Sequence, residues 1–114
     1  MTPEQNKVIH RVISTFGKRN QKMQTIEELQ ELQSAVFENV HRGTDNLKNI
    51  IEEVADVEIM LCQLKEIYNI DQKEIENVKE YKLTRLNHTI EKYLNKNTRD
   101  NTVVIIDRQT SNGR

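Results

Sequence analysis

Glycine and proline are almost absent from this chain, which has three Gly and one Pro among 114 residues. A fold built from many short strands needs turn residues between them, and this sequence supplies few. Apolar residues instead recur every three to four positions, the spacing that places them on one side of an α-helix. The sequence therefore predicts an all-α domain of about four helices.

Capping signals mark the ends of these helices. Thr2 and Gln5, which flank Pro3, form the pattern of a capping box at the start of the first helix. Gly17 is placed to end or bend that helix, and Gly43 to end the second in a left-handed conformation. The later predicted helices cover about 20–41, 46–68 and 72–94, the last two capped by Asp45 and Asp71.

The helical periodicity ends near Leu94. We expect residues 1–96 to form one domain and residues 97–114 to form a tail that is flexible or orders against another subunit. The β-branched run at 102–106 is a candidate edge strand within that tail.

Composition excludes several classes of protein. The single cysteine, Cys62, permits neither an internal disulfide nor a thiolate zinc cluster. The N-terminus has no signal-peptide pattern, and no apolar run approaches the roughly 18 residues of a membrane span, so we expect a cytoplasmic protein without a membrane partner. The 17 basic and 18 acidic residues are interleaved, which argues against nucleic acid as a partner.

Two pairs of carboxylates lie inside the apolar-periodic segments, where solvated charges are not expected. Glu28 and Glu31 form the first pair, and Glu53 and Asp56 form the second, each spaced i, i+3. Glu53 falls in the middle of the apolar side of its helix. Four carboxylates in such positions would be poorly solvated and would repel one another, and a divalent cation would remove both problems.

The residue types in these pairs suit Mg²⁺ or Mn²⁺, which prefer oxygen ligands, and Mg²⁺ commonly bridges substrate phosphates. Lys82 lies on the apolar side of the fourth predicted helix, and Arg85 lies at its margin, so either side chain could contact a phosphate group. A di-iron site would need Glu-x-x-His on two helices, and the only such pair is Glu38/His41. An EF-hand loop is absent.

Signatures of covalent catalysis are also missing. The sequence contains no glycine-rich phosphate loop, no serine elbow and no Cys/His arrangement. A nucleophile would therefore be water, activated by the metal and by one of the carboxylates as general base.

Glu28-Leu29-Gln30-Glu31, followed after 21 residues by Glu53-Val54-Ala55-Asp56, resembles the ExxE…ExxD signature of the MazG-like, all-α nucleoside triphosphate pyrophosphohydrolases. The flanking segments are similar as well, and the resemblance covers about residues 5 to 95. Its further points of similarity are Phe16-Gly17, Gln21, 61–70 and 79–86.

The resemblance implies a MazG-like helical bundle and a Mg²⁺-dependent enzyme that cleaves a nucleoside triphosphate between its α and β phosphates, giving a monophosphate and pyrophosphate. The resemblance implies four metal ligands, which are Glu28, Glu31, Glu53 and Asp56. It implies that Lys82 and Arg85 contact the phosphates. Gln21 and Gln24 could border the nucleotide.

Single-domain members of that family assemble as dimers or as dimers of dimers, and the sequence has a feature in agreement. Ile59 and Cys62 lie opposite the stripe of Val57 and Leu64, so the third helix is apolar on more than one side and needs a second packing partner. We therefore expect a bundle completed by oligomerisation.

Two alternatives to the enzyme stay open. The first is a catalytically idle nucleotide-binding or regulatory module of the same fold. The second is an oligomeric helical scaffold whose inward acids pair with basic residues. Base and sugar preference, the physiological role and the choice between dimer and tetramer do not follow from the sequence.

Overall fold

A computed structural model describes the backbone of residues 1–100 and the side chains of residues 1–98. Within that range the chain is all-α, as predicted, with four helices and no strand. The helices are α1 (Pro3–Phe16), α2 (Lys18–Arg42), α3 (Leu47–Ile67) and α4 (Gln72–Asp100). The chain divides into one compact unit, Met1–Gln72, that holds α1 to α3, and a second that begins at Lys73 and holds α4. None of the described helices combines the length and apolar character that a membrane crossing requires.

The capping signals at the ends of the first two helices are confirmed. The backbone N–H of Gln5 donates to Thr2 Oγ1 at 3.1 Å, and the backbone N–H of Thr2 donates to Gln5 Oε1 at 3.0 Å. Gly17 adopts φ 93°, so α1 ends there and α2 begins at the next residue. Gly43 ends α2 in the left-handed region at φ 64°, which a residue without a Cβ adopts at little cost.

The predicted cap of α3 is wrong by one residue. The capping position is occupied by Asn46 rather than Asp45, and no side chain caps the helix there. Asn46 Nδ2 donates instead to the backbone carbonyl of Ala35 at 2.9 Å, which ties the start of α3 to α2. The side chain is therefore used for a contact between helices, which local cap preferences do not reveal.

The predicted end of α4 at Leu94 is also wrong. The helix begins directly after Asp71, as expected, and continues to Asp100. Residues 95–100 are polar but include neither Gly nor Pro, so the apolar stripe ends while the helix does not. Thr98 Oγ1, within that extension, donates to the backbone carbonyl of Leu94, one turn earlier, at 2.8 Å. The candidate strand at 102–106 lies outside the described residues.

The core of the first unit is small and lies between α1, α2 and α3. Its buried apolar members are Ile9, Ile13, Ala35, Val57 and Met60. Three polar residues are buried with them: Gln21, Thr25 and Gln63. Thr25 Oγ1 lies 3.5 Å from Met60 Sδ, and His10 Nδ1 lies 2.7 Å from Glu66 Oε2, so each contact joins a different pair of helices.

The apolar stripe expected on α3 contains Val54, Met60 and Leu61 as well as Val57 and Leu64, and it is only partly buried. Val57 and Met60 point into the core, whereas Val54 and Leu61 are 39% and 46% exposed. Ile59, expected to need a second partner, is 42% exposed. Apolar side chains on α2 and α3 are therefore exposed as well as buried.

Candidate metal centre

The structure brings the four predicted carboxylates together. Glu28 and Glu31 come from α2, and Glu53 and Asp56 come from α3, with one oxygen of each lying within 4.8 Å of the others. The i, i+3 spacing places each pair on one side of its helix, and the two sides face each other. These four residues are called the acidic cluster below.

Contacts on both sides of the acidic cluster fix the alignment of α2 and α3. The Asn46 to Ala35 hydrogen bond lies near the connection between the helices, and the Thr25 to Met60 contact lies beyond the acids. Because the helices run antiparallel, residues between these two contacts must meet at matching levels. The two carboxylate pairs occupy those levels.

Two carboxylate oxygens in the acidic cluster are buried and have no hydrogen-bond partner among the described residues. They are Glu28 Oε1 and Glu53 Oε2. Both residues are half-buried, whereas Glu31 is exposed. Buried acceptors without a partner are rare in native proteins and call for an explanation, such as an ion at the site. A cation between the helices would supply the missing interaction for both oxygens.

The electrostatics of the acidic cluster disfavour four ionised carboxylates without a cation. Desolvation raises the pKa of Glu53, and the neighbouring charges of Glu31, Asp56 and Glu28 raise it further. At Glu28 the hydrogen bond from Gln24 is the largest influence and lowers the pKa, but desolvation and the charges of Glu31 and Asp56 together outweigh it. The pKa of Glu28 is therefore also raised.

These pKa shifts predict how the stability of the metal-free protein depends on pH. Because the folded pKa values of Glu28 and Glu53 lie above the ordinary value of 4.5, the folded state binds protons more tightly than the unfolded state. The free energy of unfolding should therefore rise as the pH falls through the folded pKa values toward 4.5. Urea unfolding in EDTA at a series of pH values from about 7.5 down to about 4.5 measures this gain.

The matched variants for this measurement are Glu28→Gln/Glu53→Gln and, as a control, Glu27→Gln/Glu52→Gln. The control replaces the exposed glutamate immediately before each cluster residue. The first double variant should gain less stability on acidification than the wild type, and the control should gain as much. Equal gains in all three proteins would show that the two cluster residues titrate alike in the folded and unfolded states.

Gln24, one of the two predicted nucleotide-bordering residues, contacts the acidic cluster directly. Its Nε2 donates to Glu28 Oε2 at 2.7 Å. The other carboxylate oxygen of Glu28, Oε1, has no hydrogen-bond partner among the described residues. Gln21, the other residue, is only 8% exposed. The assignment of both residues to a nucleotide stays a prediction.

An open cleft of about 700 Å³ adjoins the acidic cluster. Its volume is that of a site for a small ligand. It is lined by Glu27, Gln30, Glu31, Ser34, Ala35, Glu38, Asn49 and Glu53. Ser34 and Asn49 are not among the residues predicted above. Helical spacing would have found them, since Ser34 lies three residues after Glu31 and Asn49 lies four before Glu53.

Lys82 and Arg85, the predicted phosphate contacts, both lie exposed on α4. The guanidinium carbon of Arg85 lies 5.7 Å from the centroid of the Tyr81 ring, which orients that side chain along the helix. Because α4 belongs to the second unit, their role toward a ligand of the acidic cluster stays a prediction.

No protein-family model, curated protein or solved structure matches this chain. Family membership is therefore not shown by comparison.

Proposed function

We propose that this protein is a Mg²⁺-dependent nucleoside triphosphate pyrophosphohydrolase, which cleaves a triphosphate between its α and β phosphates to a monophosphate and pyrophosphate. The observation that carries this proposal is the convergence of four carboxylate oxygens within 4.8 Å, two from each of two antiparallel helices. The motif resemblance to MazG-like enzymes supports the same reaction.

The chemistry of the acidic cluster favours a hard cation. Its four ligand groups are all carboxylates, without His or Cys, which suits Mg²⁺ or Mn²⁺ rather than zinc or copper. The unpartnered oxygens of Glu28 and Glu53 fit this assignment, since they are acceptors that no donor among the described residues occupies. Bound there, the ion would contact phosphate oxygens and lower the pKa of a coordinated water.

The protein groups around the ion would then have distinct tasks. The four carboxylates of the acidic cluster hold the cation, and one of them accepts the proton of the attacking water. Gln24 fixes the orientation of Glu28 through its 2.7 Å hydrogen bond.

The substrate would enter through the cleft that adjoins Glu31 and Glu53. Ser34 and Asn49 offer hydrogen-bonding groups along that cleft, and Lys82 and Arg85 remain the proposed phosphate contacts. Following the same resemblance, we propose a homodimer or a dimer of dimers as the active form. The apolar surface left exposed on α2 and α3 supports association.

Pyrophosphate release from a panel of canonical, deoxy and damaged triphosphates tests the proposal. With Mg²⁺ at least one triphosphate should give equal amounts of monophosphate and pyrophosphate, and EDTA should abolish release. Triphosphate binding without pyrophosphate release would indicate an idle nucleotide-binding module. Absence of thermal stabilisation by Mg²⁺ or Mn²⁺ would indicate a scaffold and would contradict the metal site.

A further inference from the structure

The acidic cluster lies near one end of the cleft that adjoins it, and the rest of the cleft extends along α2 toward Glu38. All the residues that line the cleft belong to the first unit. At the rise of an α-helix, Ser34 lies ~7 Å and Glu38 lies ~13 Å beyond the midpoint of the Glu28/Glu31 pair. Glu27, at the other end of the lining, lies only ~4 Å before that midpoint. A ligand held at the acidic cluster therefore has the longer part of the cleft on the Glu38 side.

Ser34 and Asn49 lie opposite each other in that longer part. The two contacts that fix the alignment of α2 and α3 also fix which residues of the two helices meet. By that alignment Ser34 on α2 and Asn49 on α3 are at about the same level, and both line the cleft. One offers a hydroxyl group and the other a carboxamide, and each of these groups can both donate and accept hydrogen bonds. Such a pair suits the oxygen atoms of a sugar.

The charge of the lining determines which part of a nucleoside triphosphate this part of the cleft can hold. Four of the described residues that line the cleft are glutamates, and none of them is Lys or Arg. A polyphosphate that pointed toward Glu38 would be repelled by its carboxylate, whereas an uncharged nucleoside would not. The basic residues Lys18, Arg19 and Lys22 lie toward the other end of α2. With an ion on the α and β phosphates, the nucleoside therefore extends toward Glu38 and the terminal phosphates point the other way.

Glu38 lies where the base of that nucleoside would end. Its ~13 Å from the midpoint of the carboxylate pair on α2 matches the span from an α phosphate to the far edge of a base. The side chain is half-buried, and Arg42 Nη1, one turn later, donates to Glu38 Oε1 at 3.4 Å. A carboxylate has about four acceptor positions on its two oxygens, so this contact leaves room for two further donors. Glu38 therefore presents two adjacent acceptors at the end of the cleft.

Two adjacent acceptors favour one base by its hydrogen-bonding edge. On guanine the N1–H and the 2-amino group are neighbouring donors that point in the same direction, so each carboxylate oxygen can accept from one of them. Adenine and cytosine place an amino group beside a ring nitrogen that is itself an acceptor. Uracil and thymine place one N–H between two carbonyl groups. With these four bases an acceptor would face a carboxylate oxygen and leave it without a donor.

We infer that Glu38 recognises the base of the triphosphate and makes the protein selective for guanine nucleotides, with Ser34 and Asn49 at the level of the sugar. The inference rests on the proposed function, because the acidic cluster has to hold the phosphates for the base to reach Glu38. It adds to that function a base preference and the direction in which the substrate lies along the cleft.

The base preference is tested by kcat/KM for pyrophosphate release from dGTP, dATP, dCTP and dTTP. The wild type should prefer dGTP to each of the others by about tenfold or more, which is the discrimination that a bidentate contact provides. Glu38→Gln replaces one acceptor oxygen by a donor amide group, so it should lower the ratio of the dGTP value to the dATP value by about tenfold or more. Glu52→Gln is the control, since Glu52 is exposed and does not line the cleft, and it should keep the wild-type ratio.

Two outcomes of this measurement would overturn the inference and leave the enzymatic proposal standing. The first is a wild type that releases pyrophosphate without a preference for dGTP. The second is a Glu38→Gln protein that keeps the wild-type ratio.

Two substrate analogues test the same contact without any substitution in the protein. dITP lacks the 2-amino group of guanine, whereas 7-deaza-dGTP keeps that group and lacks the N7 acceptor on the opposite edge. The wild type should use 7-deaza-dGTP nearly as well as dGTP, and dITP about tenfold less well. The reverse order, or equal use of all three, would show that Glu38 does not bind the N1–H and amino edge.

Binding measured without turnover keeps this inference separate from the enzymatic proposal. The α,β-imido analogues of the guanosine and adenosine triphosphates cannot be cleaved between the α and β phosphates, and calorimetry with Mg²⁺ present gives their affinities. A guanine preference in binding that Glu38→Gln reduces, without pyrophosphate release from any triphosphate, would contradict the enzyme and support recognition of the base. Pyrophosphate release together with equal affinities for the two analogues would do the reverse. A wild type that binds neither analogue would overturn both.

Discussion

Replacing Glu53 with glutamine should lower pyrophosphate release by at least about 100-fold, because ligands in the first coordination sphere matter more than the outer partners, whose loss costs 10 to 100-fold. Glutamine keeps the size of the side chain but removes the charge that would bind the cation. It also removes one of the four carboxylates proposed as the proton acceptor. Initial rates at saturating Mg²⁺ and triphosphate measure the loss.

Glu52→Gln is the matched control for this variant. Glu52 is the exposed neighbour of Glu53 on the same turn of α3, so its replacement changes the net charge equally without touching the acidic cluster. The control should retain nearly the full wild-type rate. Similar losses in the two variants would show that net charge, and not a ligand position, matters to turnover.

The stability of Glu53→Gln gives an independent check. Since desolvation and the neighbouring carboxylates raise the pKa of Glu53, its charge opposes folding at neutral pH when no metal is bound. The melting temperature of the metal-free variant should therefore equal that of the wild type or exceed it by up to a few degrees. A variant that unfolds readily, yet keeps its activity per folded molecule, would identify Glu53 as a structural ion-pair partner.

The acidic cluster could be predicted from the sequence because its geometry depends on local periodicity. Glu28 and Glu31 occupy one turn of a long helix, as do Glu53 and Asp56, and the short connection after Gly43 brings those helices side by side. Helical spacing and a short loop therefore sufficed to place four side chains together. No long-range contact had to be known in advance.

Features that depend on long-range contacts were predicted less well. Asn46 replaces Asp45 at the cap position because its side chain bonds to Ala35, eleven residues away along the chain. Val54 and Leu61 lie on the apolar side of α3, but α2 covers only part of that side, and they stay exposed. The periodicity of one helix shows which residues are apolar, and it does not show which neighbour covers them.

The end of α4 illustrates a different limit. An apolar stripe reports where a helix needs a packing partner, and it ends near Leu94. The helix itself continues to Asp100 because polar residues other than Gly and Pro sustain the backbone hydrogen bonds. The disappearance of the stripe therefore marks the end of the apolar side of α4 and not the end of the helix.

The variants Asp56→Asn and Lys82→Ala should separate the loss of Mg²⁺ binding from the loss of triphosphate binding. Asp56→Asn should weaken Mg²⁺ binding at least about tenfold in the absence of nucleotide, because it removes one anionic ligand from the acidic cluster. Triphosphate affinity should fall as a consequence, since the ion connects protein and phosphate. Lys82→Ala should leave Mg²⁺ affinity unchanged, because an ammonium group cannot bind a cation, and should weaken triphosphate binding or slow turnover.

Calorimetric titration of Mg²⁺ and then of a non-hydrolysable triphosphate into each variant separates these two outcomes. Lys79→Ala serves as the control for Lys82→Ala, since it removes an equal charge one turn earlier on α4. It should bind both ligands nearly as the wild type does. Equal loss of Mg²⁺ affinity in Asp56→Asn and Lys82→Ala would mean that Lys82 positions the carboxylates rather than the substrate. Its assignment to phosphate would then be wrong, whereas the metal site itself would stand.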